Sequence, residues 1–194
     1  MRYLTIGRNI IVFSFLSCGN PEPASFTITK NDTAKLAVKK TDTAVPMPYN
    51  YNGSTVSTGN ITPAALIAFA RTLHGIPYKY GSIDPAQGFD CSGFITYVFN
   101  HFNIAVPRTS AEFTFVKHEI DLKQAKPGDL ILFTGTDSTI RIVGHMGIIV
   151  SSATAPVTFI HSTSGRANGV TETPLNPYYM GRYVKIIRVF PQND

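Results

Sequence analysis

Cys91 stands between an acid and a small-residue pair in Phe89-Asp90-Cys91-Ser92-Gly93-Phe94, directly before the apolar positions Phe94, Ile95, Tyr97, Val98 and Phe99. That spacing puts the thiol on the first turn of a helix. Unpaired backbone N–H groups and the positive end of the helix dipole there favour a thiolate, the nucleophilic form of cysteine. A base must come from elsewhere, and the 194 residues hold five histidines. His74, His101 and His118 fall at helix ends or in polar stretches and read as cap or surface residues. His145 lies inside Val143-Gly144-His145-Met146-Gly147-Ile148, an apolar strand pattern with nearby glycines on either side, and glycine within a strand often marks the close approach of another group. His161 closes the run Val157-Thr158-Phe159-Ile160-His161. If these two runs pair, both imidazoles can point from one sheet face towards Cys91. By residue type, Cys91 is then the nucleophile, His145 the general base and later the general acid, and His161 the group that orients His145. Two other readings stay open from spacing alone. A zinc site of the same three residues lacks any short chelating motif. A plain core role for Cys91, with structural histidines, fits the usual burial of free cysteine.

The elements that must position these side chains follow from caps and periodicity. Thr62-Pro63, a hydroxyl cap followed by Pro at the first helical position, opens a helix through Leu66, Ile67, Phe69, Ala70 and Leu73 that Gly75 ends. Turn-rich sequence from Pro77 to Gly88 leads into the cysteine helix, which should end near Asn103. Thr109 and Glu112 form a capping-box pattern for a third, shorter helix reaching about Lys117. Beyond Lys126-Pro127-Gly128 the texture changes to β-rich runs at 129–133, 141–151, 157–161 and 182–190. Helices first and strands afterwards, without alternation, argue for an α+β domain in which N-terminal helices pack on an antiparallel sheet. With 43% hydrophobic residues, the chain can build one full core.

The N-terminus has a different character. Arg2 and Arg8 precede the apolar run Ile10 to Leu16 and then Ser17-Cys18-Gly19, a pattern too short to span a bilayer and suited to a signal-peptide core rather than to a first core strand. Residues 1–17 are therefore expected to be a signal peptide. A cysteine directly after a small residue resembles a bacterial lipoprotein signal, in which Cys18 is lipidated and becomes the first mature residue. Phe15, where such signals usually carry Leu, keeps ordinary secretion as the alternative. The stretch 18–60, rich in Thr, Pro, Asn, Ser and Lys, is expected to be a flexible tether ahead of a catalytic domain at 61–194. With Cys18 consumed by lipid, Cys91 stays free and no disulfide is expected. The net charge of +5 includes Arg2 and Arg8; without them 15 Lys/Arg face 12 Asp/Glu, spread along the chain. No basic cluster suggests nucleic acid, and the excess points at most to an anionic wall or membrane surface.

Six segments carry a family likeness. Pro77-Tyr78-Lys79-Tyr80-Gly81, Phe89 to Phe94, Val106-Pro107-Arg108-Thr109-Ser110, Lys126 to Phe133, Gly144 to Ile148 and Phe159-Ile160-His161-Ser162 resemble, in order, the signatures of the NlpC-type papain-like cell-wall endopeptidases. The resemblance covers about Ile61 to Phe190. It implies a compact papain-like α+β fold and hydrolysis of amide bonds in peptidoglycan stem peptides through a thioester. The usual target is the bond between γ-D-glutamate and a diamino acid such as diaminopimelate or lysine. Cys91, His145 and His161 carry over as nucleophile, base and orienting residue. Tyr80 resembles the family tyrosine beside the cysteine, which can donate its hydroxyl to the oxyanion together with the Cys91 backbone N–H. Asp90 and Ser92 could receive the free amine of a trimmed stem peptide, or Asp90 could simply cap the helix. Arg108 either bridges helix and loop or binds a substrate carboxylate. Ser82 replaces the second glycine that many relatives carry after the tyrosine motif. A monomer without cofactor or metal, facing the periplasm or cell wall, is expected. Two other functions compete: a related Cys-His amidase or acyltransferase on another acyl group, and a non-catalytic wall-binding module, against which the joint retention of Cys91, His145 and His161 stands.

Overall fold

The structure, a computed structural model, describes residues 55–151 and 155–194. The expected signal peptide, the lipidation site Cys18 and the tether as far as residue 54 lie outside the described residues. Residues 55–60, the end of the expected tether, bring Val56 into the main hydrophobic core, so packing begins ahead of the expected boundary at residue 61.

Thr62 accepts a hydrogen bond from the Ala65 N–H at 3.2 Å and opens helix α1 (Pro63–Thr72), which buries Leu66, Ile67 and Ala70. A short antiparallel hairpin of β1 (Ile83–Asp84) and β2 (Gly88–Phe89) then leads into α2 (Cys91–His101). Phe94, Ile95, Val98 and Phe99 of α2 are fully buried, the spacing of one helix face turned to a core. The remaining strands are β3 (Glu119–Ile120), β4 (Leu130–Thr134), β5 (Val143–Ile149), β6 (Thr158–Thr163), β7 (Gly169–Pro174) and β8 (Tyr183–Ile187). They form one antiparallel sheet in the order β3-β8-β4-β5-β6-β7.

Strand alternation divides the core into two layers. Leu130, Leu132, Met146, Ile148 and Ile160 join the residues of α1 and α2, whereas Ile131, Phe133, Ile149 and Phe159 pack with Tyr179 of α3 (Pro177–Arg182). Burial on both faces explains why Leu130 to Phe133 reads as a continuous apolar run instead of an alternating one. The α+β class and the helix-on-antiparallel-sheet arrangement expected from the sequence are present. The third helix is shorter than expected. Its capping box forms, with the Thr109 N–H donating to Glu112 at 2.9 Å and the Glu112 N–H to Thr109 at 3.4 Å, but only a 3₁₀ turn follows over Glu112–Phe115. Phe113 alone is buried in that turn, too little apolar surface to hold a longer helix.

Lys126-Pro127-Gly128-Asp129 is held by charge as well as by its turn. Asp129 is fully buried, accepts the Lys126 N–H at 2.8 Å, and takes both Nε and Nη2 of Arg188 at 3.1 Å. The ion pair ties the entry of β4 to the segment after β8. Asp129→Ala would leave the buried guanidinium of Arg188 with only a long contact of 3.8 Å to the exposed carboxylate of Asp194 and its bond to the Gln124 carbonyl, and a loss of about 3 kcal/mol of unfolding free energy is expected in urea titration. Replacing both partners by apolar residues should cost less.

Candidate active site

Asp90 is the cap of α2: its side chain accepts the Gly93 N–H, and its own N–H donates to the Ser82 carbonyl at 3.1 Å. The loop before β1 presses onto the helix start so closely that a Cβ at Gly93 would sit 2.1 Å from the Ser82 oxygen. Arg108 fastens the same corner. Its Nη1 donates to Asp90 at 3.2 Å and to Ser92 at 3.0 Å, while Nη2 donates to Asp90 and to the Gly81 carbonyl, both at 3.0 Å. Asp90, Ser92 and Arg108, candidates for substrate contact, are thus brought together with one another behind the thiol, and none of them lines the cleft that Cys91 faces.

β5 and β6 do pair, at Ile148–Ile160 and Ile149–Phe159, and this register sets His145 and His161 on one sheet face. His145 Nε2 lies 2.8 Å from His161 Nδ1, and His161 Nε2 lies 2.9 Å from the Thr173 hydroxyl on β7. That face is the one shared with Phe133, Phe159 and Tyr179, opposite the face on which α2 packs. Cys91 therefore meets the histidines at the end of β5 and not across the helix-covered face: its Sγ stands 3.8 Å from the carbonyl of Gly144, the residue before His145. The two glycines serve the protein's own chain. A Cβ at Gly144 would lie 2.9 Å from Gly135, and one at Gly147 would lie 2.6 Å from the Phe159 ring and 2.9 Å from the Ile160 carbonyl.

Tyr80 does not sit beside Cys91. Residues 79–82 make a turn closed by the Ser82 N–H on the Lys79 carbonyl at 3.2 Å, with Gly81 at a φ of +71°, and this swings Tyr80 outwards to 88% exposure. The tyrosine that shares the cleft with Cys91 is Tyr78, held in place by an isolated bridge to Phe89. Sequence reading missed it because two tyrosines of equal type stand in one motif. Burial and the neighbouring Cys91 push the Tyr78 hydroxyl above its ordinary value, so it remains a proton donor.

Burial, followed by the neighbouring Asp90, pushes the Cys91 thiol up to about 11. The expected bias towards a thiolate is overturned by magnitude. The rise from the ordinary 9.0 to about 11 corresponds to a few kcal/mol, against about 0.3–1 kcal/mol from a helix terminus. Burial also drives His145 well below the usual imidazole range, aided by His161 and Arg182, and drives His161 down to about 3, aided by Arg182. The resting site is a neutral thiol beside neutral imidazoles. Its hydrogen bonds are all satisfied when His161 donates from Nε2 to Thr173 and accepts at Nδ1 from His145, which leaves His145 Nδ1 as the free base.

The same burial makes stability depend on pH. Both histidines bind protons more weakly folded than unfolded. Above pH 6.5 both states are neutral and nothing is lost. Below 6.5 the unfolded chain takes up protons first, so stability falls by about 1.4 kcal/mol per pH unit for each histidine, down to about pH 3 for His161. Urea titrations from pH 7 to pH 4 should follow this slope, and a His145→Gln/His161→Gln double variant should flatten it.

The cleft has a volume of about 970 Å³. Thr173, Tyr178, Tyr179 and Arg182 line it beside the two candidate catalytic groups, and sequence reading named none of them as site residues. Asn176-Pro177, a cap followed by Pro at the first helical position, was the available signal for α3. Among the described residues, no cluster of three His, Cys, Asp or Glu side chains is arranged to hold a metal ion.

The profile of the NlpC/P60 family matches residues 75–189. A Gamma-DL-glutamyl hydrolase of Bacillus subtilis is 29% identical over 124 residues, covering 64% of this chain and 29% of that protein. A probable endopeptidase NlpC of Escherichia coli is 32% identical over 111 residues, covering 56% of this chain and 66% of that one. Among solved structures, an NlpC/P60 family protein from Bacillus cereus superposes with a TM-score of 0.60 at 29% identity, over 69% of this chain and 42% of the other. The match thus spans less than a third of the hydrolase and less than half of the solved chain.

Proposed function

The chain belongs to the NlpC/P60 family, and from that premise we propose that it is a cysteine endopeptidase that hydrolyses amide bonds in peptidoglycan stem peptides, in particular the γ-D-glutamyl bond to a diamino acid. The observation that carries this reading is the chain Cys91, His145, His161, Thr173, with Cys91 and His145 on one cleft and His145 Nε2 2.8 Å from His161. Because thiol and imidazole rest neutral, the Cys91 proton passes to His145 Nδ1 as Sγ attacks the carbonyl carbon. The resulting oxyanion takes hydrogen bonds from the Cys91 backbone N–H and, in place of Tyr80, from the Tyr78 hydroxyl. His145 then returns its proton to the leaving amine, and water, activated by the same imidazole, hydrolyses the thioester. His161 holds His145 in the tautomer this needs by accepting its Nε2–H, and the same hydrogen bond stabilises the imidazolium while it lasts. The enzyme acts outside the cytoplasm, anchored through lipid on Cys18 and reaching the wall on the segment that follows.

Defined muropeptides, incubated with the purified protein and followed by mass spectrometry, test the reading. New fragments at the glutamyl–diamino acid bond are expected. Intact muropeptides would overturn it, and transfer of the acyl group to an added amine would favour the acyltransferase alternative.

A further inference from the structure

Two arginines line the cleft and no carboxylate does. Arg182 is buried, 7% exposed, yet its three hydrogen bonds go to neutral acceptors: the Gly135 and Thr134 carbonyls and the Tyr178 hydroxyl, each at 2.8 Å. The rings of Tyr178 and Tyr179, 5.0 and 5.6 Å away, are its other partners, again without negative charge. Arg166, on the exposed loop between β6 and β7, faces the same cleft and has no ion pair among the described residues. The other arginines near the site differ: Arg108 is committed to Asp90, and Arg71 to Glu172 at 2.7 Å. A buried guanidinium without an anion is costly, and a second one at the mouth of the same cleft adds to the field. An anion brought by the substrate would complete both.

We propose that this cleft selects stem peptides carrying a free carboxylate within one residue of the scissile amide, with Arg166 as the group that receives it and Arg182 as the buried charge behind it. The proposal rests on the hydrolase reading above. Arg166 is a planar donor fork at a rim, suited to a carboxylate and not to a carboxamide. Amidation of the carboxylate removes the charge at nearly constant shape, so the pair of substrates isolates the interaction.

The test uses three synthetic peptides: L-Ala-γ-D-Glu-diaminopimelate and its two monoamides, one at the glutamate α-carboxylate and one at the diaminopimelate carboxylate next to the scissile bond. Binding is measured by calorimetry to full-length Cys91→Ala protein, and cleavage by the unaltered chain. The free acid is expected to bind about tenfold more tightly than at least one monoamide, the size of a partly exposed charged hydrogen bond. Arg166→Gln should erase that gap and Arg166→Lys should keep part of it; neither change touches a buried group. Equal binding of all three peptides, no binding of any, or a gap that survives Arg166→Gln overturns the proposal. If Cys91→Ala shows the gap while the unaltered chain cleaves none of the peptides, carboxylate selection stands and the hydrolase reading falls. If all three are cleaved equally, the hydrolase reading stands and carboxylate selection falls.

Discussion

Cys91→Ala should remove hydrolysis of every stem peptide that the unaltered chain cleaves, a loss of about 10⁴-fold or more, because no thioester can form without the sulfur. The same change should hardly move the unfolding midpoint. The hydrogen bond of Cys91 Sγ is weak, 3.8 Å to the Gly144 carbonyl, and the helix start is fixed independently by Asp90, Arg108 and the Ser82 carbonyl. Activity and denaturation measured on one preparation separate the two effects. A Cys91→Ala variant that keeps its activity would remove this residue from the reaction. A variant that loses both activity and its folding transition would mean that the sulfur matters for structure.

His145→Ala is the second large effect, and its pH dependence identifies the cause. With the thiol at about 11, roughly one in three thousand Cys91 side chains is ionised at pH 7.5 if no base assists. Loss of the base should therefore lower kcat/KM by about 10³-fold near neutrality, within the range for general-base catalysis. The residual rate should then climb about tenfold per pH unit as hydroxide in solution does the work of the missing imidazole. The unaltered chain should show no such climb. It should also keep its activity below pH 6.5, since His145 is held well below the ordinary imidazole value and stays a base there. His161→Ala should be milder, because it removes the partner at 2.8 Å that orients His145 and leaves the base itself in place. A His145→Ala profile parallel to that of the unaltered chain would mean that another group takes the proton.

Much of this arrangement is readable in the sequence because it is written in local rules. Thr62-Pro63 and Asp90 start their helices where capping chemistry puts them, and the runs around Leu130, Met146 and Phe159 are strands. β7 escaped notice because an edge strand with the sequence Gly-Val-Thr-Glu-Thr-Pro buries little more than Val170 and so carries no apolar pattern. The side of the sheet occupied by the histidines was available in principle: Met146 and Ile148 had to face the helices, and alternation sends His145 the other way. Two features depended on tertiary context. Which tyrosine reaches Cys91 is decided by the turn at Gly81, and the protonation of Cys91 is decided by how much water the packed domain excludes. Neither burial nor the aim of a turn has a signature within a few residues.

The neutral resting pair has a consequence for the lifetime of the protein. A cysteine attacks peroxides and disulfides as its thiolate, so a free thiol that stays protonated at neutral pH oxidises slowly, even where it is the proposed nucleophile. In the proposed mechanism the proton leaves Cys91 only as a carbonyl carbon is attacked, so that reactivity appears together with substrate. The site pays for chemical durability with a proton transfer inside each catalytic cycle.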